Sequence, residues 1–508
     1  MMKKRILSLA VTAGLIGAAA TAQAQMHVND KGLGEALIYP FYSAANGNDT
    51  YIHLVNTTDA VKAVKVRFIE GMNSQEVLDF NLYLSPEDVW AAVITATDDG
   101  GAKVRTVDTT CSVPMLGSQG AGTITNVNGK TQRDQPFVGS LYQTDAEEFR
   151  GLDRTQEGYV EVIEMGQMVN DGADPNLPAM AVHNNEGVPA NCAGLVAAWS
   201  TGGAWLNDSS TDFQTWDNNG DGGSAGGLYG FGVVINVPEG TASGYDAVAI
   251  DDFVLEGDPD LHREPGDELP NLENGQPAVA IFDGPTVSTY VFPRAIDAVS
   301  SLLMSSHLMN DYVVDPAINA RTDWVVTMPT KRFYVQGDPV DLFDEVLPPF
   351  SIEWNPEFAE ACEPVAFQVW NREEHFEEVV DGPVFSPAPE TVLEDNALCR
   401  EVNVITFGED AGDSALRASD NIRVNVEPGY NEGWARLSFL PGDLNTVLDA
   451  DDRTLTANDG TVFNGLPVTG FASFSYENGD VGGVLSNYGA DSEHKTAISV
   501  TPGAAPIP

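Results

Sequence analysis

Basic residues, cysteines and long apolar runs are all scarce in this chain, and each scarcity excludes something. Only 25 Lys and Arg stand against 75 Asp and Glu, a net charge of −50. A field of that sign repels phosphate backbones, which excludes nucleic acid as a partner, and opposes docking on anionic headgroups. It suits a saline medium or divalent cations, both of which screen self-repulsion. The four cysteines form no CxxC pair and no close Cys/His group, which argues against zinc. The signatures H-E-x-x-H and G-x-S-x-G are missing, and "SEHK" (492–495) lacks the Ser-Asp-Asn partner that S-x-x-K chemistry needs. No repeat of fixed length supports a solenoid or propeller.

Past the first 24 residues no apolar stretch is long enough to cross a bilayer as a helix. The close "TAISVTPGAAPIP" offers no apolar closing strand of the kind a membrane barrel uses. The opening segment is different. Lys3, Lys4 and Arg5 precede an apolar run from Ile6 to Ala20, and Ala22-Gln23-Ala24 fits a small-x-small cleavage rule. Residues 1–24 therefore read as a signal peptide. The mature chain is expected in the periplasm, at the cell surface or outside the cell, with no transmembrane span. An even cysteine count in an exported chain predicts two disulfides. Three connectivities are open for Cys111, Cys192, Cys362 and Cys399. Sequential pairing keeps each bridge inside one half of the chain.

What the chain has in abundance is period-two hydrophobicity. In "AVKVRFI" (63–69), Val64, Val66 and Phe68 face one way while Lys65 and Arg67 face the other. The texture recurs at 50–56, 77–86, 157–166, 229–240, 245–253, 322–329, 365–370, 403–408, 422–426 and 433–439. Short strands separated by Gly, Asn and Asp clusters predict a mainly β fold of two antiparallel, Ig-like β-sandwich lobes. One helical segment is expected at 294–312, where Ile296, Val299, Leu302, Leu303, Leu308 and Met309 approximate one face before Pro316. The acidic, Pro/Gly-rich stretch 256–277 reads as a linker between an N-terminal lobe (25–255) and a C-terminal lobe (278–500), with 501–508 a flexible tail.

Candidate sites are few. "TWDNNGDGG" places Asp217, Asn219 and Asp221 at positions 1, 3 and 5 of a calcium loop, with Gly222 at position 6. Position 12 is Leu228, and no flanking helices are apparent, so an EF-hand is rejected. A Ca2+-stapled β-loop would need a further ligand from Asp208 or Asp212; the other reading is a Gly-rich hairpin excursion. Trp199, Trp205 and Trp216 lie close by, either as a glycan-stacking surface or as sandwich core. In "REEHFEE" (372–378), Glu373, His375 and Glu377 would share one face of a strand, as a metal site or a solvated acidic edge.

Four phrases are familiar together: "LIYPFYSAANGNDTYIHLVNTT", "KAVKVRFIEGMNSQEVLDFNLYLSPEDVW", "TDWVVTMPTKRFY" and "GLPVTGFASFS". In that order they resemble an uncharacterised family of exported proteobacterial β-rich proteins with no assigned activity. The resemblance implies export and transfers no site residue. The expected function is a non-catalytic structural or interaction protein whose partners are envelope or matrix proteins or glycans. The alternative is a calcium-dependent glycan-binding module or a polysaccharide-acting enzyme.

Overall fold

The computed structural model describes residues 25–168, 176–205, 225–254, 261–283, 286–336, 346–378, 397–408, 411–426, 429–444, 448 and 452–503. Residues 1–24, 206–224 and 504–508 are among those that lie outside them. The fold is mainly β, 47% strand against 11% helix.

Each lobe is built around a pair of large sheets, and four smaller sheets of two or three strands accompany them among the described residues. In the N-terminal lobe the first sheet runs His27–Val28, Val248–Asp251, Ala36–Ser43, Glu157–Met168, Val61–Glu70, Glu76–Leu84 and Cys111–Val113, in that spatial order. The second runs Thr241–Asp246, Leu228–Asn236, Asn48–Asn56, Val89–Ala96, Ala102–Thr106, Lys130–Pro136 and Thr123–Val127. Val64, Val66 and Phe68 enter the core between them with Ile52, Leu54, Val160 and Val162, as the alternation predicts. The C-terminal lobe pairs two five-stranded sheets. One is Phe376–Glu378, Ala366–Asn371, Glu432–Ser438, His307–Val313 and Lys495–Ala497; the other is Ile422–Val424, Val402–Phe407, Ala320–Thr327, Thr469–Asp480 and Leu485–Glu493. Tyr312 stacks on Phe407 across that gap, 4.9 Å and 6° apart, and Trp324 meets Phe367 edge-on.

Two expectations change in the structure. The segment 294–312 is helical only over Ala295–Leu303; Met304–Ser305 and His307–Val313 are strands. Ser306 N–H and Oγ both donate to the Ala497 carbonyl, a pairing unavailable inside a helix. Leu308, Asn310 and Tyr312 then turn inward at period two, while Met309 turns outward. The stretch 256–277 is no free linker over its described residues. Lys65 Nζ donates to the Glu264 and Asp267 carbonyls, Asn81 to the Arg263 carbonyl, and Leu272 is fully buried.

The two lobes share one continuous hydrophobic core, from Met26 through Phe474. Buried bonds cross between them: Asn48 Nδ2 to the Leu416 carbonyl (2.7 Å) and Thr327 Oγ1 to the Pro40 carbonyl (2.5 Å). Tyr245 stacks on Phe471 at 4.8 Å. At Gly489 the contact is so close that a Cβ would sit 1.7 Å from the Ala242 carbonyl oxygen, so only glycine fits. At the C-terminal end, Ser499–Thr501 adds as a strand to Val462–Asn464, so the segment expected to be a flexible tail begins in a sheet.

Candidate functional site

The cysteines pair as Cys111–Cys192 and Cys362–Cys399. The first bridge fastens two short helices, Leu177–Ala181 and Cys192–Ala198, against the edge of the first sheet. Asn191 caps the second helix by accepting from Gly194 N–H. Under this cover lie two of the three tryptophans singled out above. Trp205 is 3% exposed and stacks on Tyr83 at 5.3 Å; Trp199 is half-buried and donates its Nε1–H to Tyr83 Oη at 2.8 Å. His262 packs against both rings, and burial holds its pKa far below the usual histidine range. These rings belong to a satellite core with Tyr83, Leu177 and Leu195. Trp216, Asp217, Asn219, Asp221, Asp208 and Asp212 all lie in 206–224, outside the described residues.

The outer face of the first sheet carries an ionic layer that is buried as well. Lys65 and Arg67, on the polar phase of their strand, are both buried: Lys65 lies under the acidic 261–277 segment, and the neighbouring Tyr159 and Ser74 bond to Pro329 and Arg332. Arg67 binds Glu76 (2.7 Å) and Glu161 (2.5 Å), and Lys65 binds Asp79 (2.9 Å); on the opposite phase, in line with Val64 and Val162, Lys62 binds Glu164 (2.6 Å). Burial works against the Arg67 charge, but Glu161 and Glu76 outweigh it and hold its pKa above normal. Glu35 behaves in the opposite way. Burial first, then Glu164, Asp251 and Asp252, push its pKa up to about 8, against a single opposing hydrogen bond from Val254 N–H. Every described cation of this layer is neutralised in place, so it reads as structure.

The open feature is on the C-terminal lobe. Trp370 and Trp434 are direct cross-strand partners, and their rings lie face to face, 4.1 Å and 3° apart. Arg436 sits over the Trp370 ring at 5.3 Å. Trp434 remains 37% exposed, beside a groove of about 910 Å³ that runs from this pair to Ile318 and Tyr476. Its rim is polar. Asp311, the next cross-strand neighbour of Trp434, is exposed, and its carboxylate has no protein partner among the described residues. Arg372 bridges to Glu432, and Glu374 stands at the mouth.

The segment "REEHFEE" borders the same groove but is not one strand. Asn371 Oδ1 accepts from Glu373 N–H and His375 N–H, and Glu374 takes a φ of +67°, so a turn breaks the expected alternation. Among the described residues, one group of three metal-ligating side chains converges, Glu360 with Cys362 and Cys399, and both its sulfurs are in a disulfide. The groove tryptophans were missed in the sequence, although a signal was there. Trp370 follows inward Phe367 and Val369 on the opposite phase, and Trp434 stands opposite Ala435 and Leu437. A large aromatic on the polar phase of a strand marks an exposed ring. No protein-family model, curated protein or solved structure matches this chain.

Proposed function

We propose that this is an exported, non-catalytic interaction protein of the cell envelope or extracellular matrix, and that it engages its partner through the C-terminal groove. The observation carrying this reading is the stacked Trp370–Trp434 pair, left half-open beside a cleft of ligand size. Two disulfides support an oxidising compartment, and no described helix is long and apolar enough to cross a membrane. The leader-like opening and the acidic surface agree with that location. The fused lobes supply a rigid frame, so a partner would meet a groove already formed.

Fractionation of native cells tests the reading. Wild-type chain is expected in the envelope or matrix fraction, and Trp434→Ala is expected to shift most of it into the released, unbound fraction. A variant that is retained like wild type, or a wild-type chain found in the cytosol with its leader intact, would overturn it.

A further inference from the structure

Resting on that reading of the groove, we propose that its occupant is a neutral hexose polymer, stacked on the free part of Trp434 and hydrogen-bonded along the rim. The groove combines two surfaces that rarely suit one ligand. Trp434, Ile318 and Tyr476 offer apolar area, and aromatic faces carry negative potential that attracts polarised C–H groups. Within the same cleft Asp311, Glu374 and Glu432 offer carboxylate acceptors, and Arg372 offers a fork of donors. A pyranose ring matches both at once: its axial C–H face is apolar, and its equatorial hydroxyls donate and accept at the edge.

Other occupants fit less well. An apolar helix would cover Asp311 and Glu374 and leave their carboxylates desolvated without partners. An anionic polymer would meet three rim carboxylates against one arginine, on a chain of net charge −50. A basic peptide would satisfy the charge but would gain little from a ring pair that already holds Arg436 over Trp370. The site differs from the Trp199/Trp205 cluster, whose rings are occupied by Tyr83 and His262.

The test is intrinsic tryptophan fluorescence and calorimetric titration of the full mature chain with cellohexaose and mannohexaose. A hexa-alginate and a hexalysine peptide serve as the anionic and cationic comparisons. At least one neutral hexamer is expected to bind, with hexa-alginate silent. Trp434→Ala is expected to weaken binding about tenfold, the loss of one stacking platform, and Asp311→Asn to weaken it less. Both positions are exposed, so circular dichroism of each variant should match wild type. Binding of hexalysine alone, silence of both neutral hexamers, or full binding by Trp434→Ala would each overturn the proposal. Envelope release of Trp434→Ala without hexamer binding would sink the glycan assignment and leave the groove reading standing; retention of that variant would sink both.

Discussion

Glu35→Gln should change how the stability of this protein depends on pH. Glu35 is 4% exposed and has Glu164, Asp251 and Asp252 around it; the nearby basic side chains are Lys62, committed to Glu164, and His27, 3.5 Å from Asp252. Its pKa is about 8 in the fold against 4.5 in the unfolded chain. A raised folded pKa means the fold binds the proton more tightly than the unfolded chain does. The contribution is fully present below 4.5 and is lost as pH rises through 8. Between pH 5 and pH 8, linkage makes the loss about 3.5 kcal/mol. Glutamine carries no titrating proton and keeps an oxygen for Val254 N–H. The stability difference between Glu35→Gln and wild type should therefore grow by that amount over the interval, in favour of the variant. For a cooperative chain of this size that is about 3 °C of melting temperature. Differential scanning calorimetry at pH 5, 6.5 and 8 measures it. Two melting temperatures that move in parallel across the series would show that Glu35 ionises normally, and the buried-acid account would fail.

Glu401→Gln should show the same sign, because burial, with Glu70 adding and Lys331 opposing, also pushes Glu401 up to about 8; a flat difference in melting temperature from pH 5 to 8 would refute this. Arg67→Met strands Glu76 and Glu161 in a buried layer and should cost about 3–5 kcal/mol by urea unfolding, whereas a loss below 1 kcal/mol would place those acids in contact with water. Thiol titration of the unfolded, unreduced chain should find no free cysteine. Replacing Cys111 and Cys192 by serine opens a loop with a sequence separation of 81 and should cost about 4.5 kcal/mol on the chain-entropy account. Gly489→Ala drives a methyl into the Ala242 carbonyl and should destabilise by about 1–3 kcal/mol, read as a lower melting temperature.

The period-two segments were legible because one face of each strand enters a core and the other does not. Strands at Asn48–Asn56, Val61–Glu70, Glu157–Met168 and Ala320–Thr327 fall within two residues of the segments expected there. Long-range contacts were not legible. Lys65 and Arg67 look like a solvated face, and it takes the return of 261–277, where Glu264 and Asp267 lie 199 and 202 residues beyond Lys65, to bring a cover over it. The same return hides Trp199 and Trp205 beside His262. The difference at 304–312 is local: Leu308 fits either a helical face or the inward phase of a strand, and the Ser306 pairing with Ala497 decides for the strand, which leaves Met309 on the outward phase. The Gly- and Asp-rich composition that drew attention to Asp217 carries no information about which side chains meet.

Burial on both faces of the N-terminal sheet gives exposure in the C-terminal lobe its meaning. Where the outer face of the first sheet carries polar or aromatic groups, another segment covers them: the disulfide-held helices, the acidic stretch, or the loop after Thr327. The C-terminal sheet through Ala366–Asn371 and Glu432–Ser438 has no such cover at Trp434, Asp311 and Lys495 among the described residues. An exposed indole gains nothing from water, and its stack with Trp370 uses only one of its faces. Fold stability therefore does not require tryptophan at 434. A leucine there would cover the neighbouring strand as well, so the residue at 434 should be nearly neutral for melting temperature and decisive for binding. Leucine substitution separates the two: Trp434→Leu should melt within about 1 °C of wild type, as surface changes do, while losing retention at the envelope.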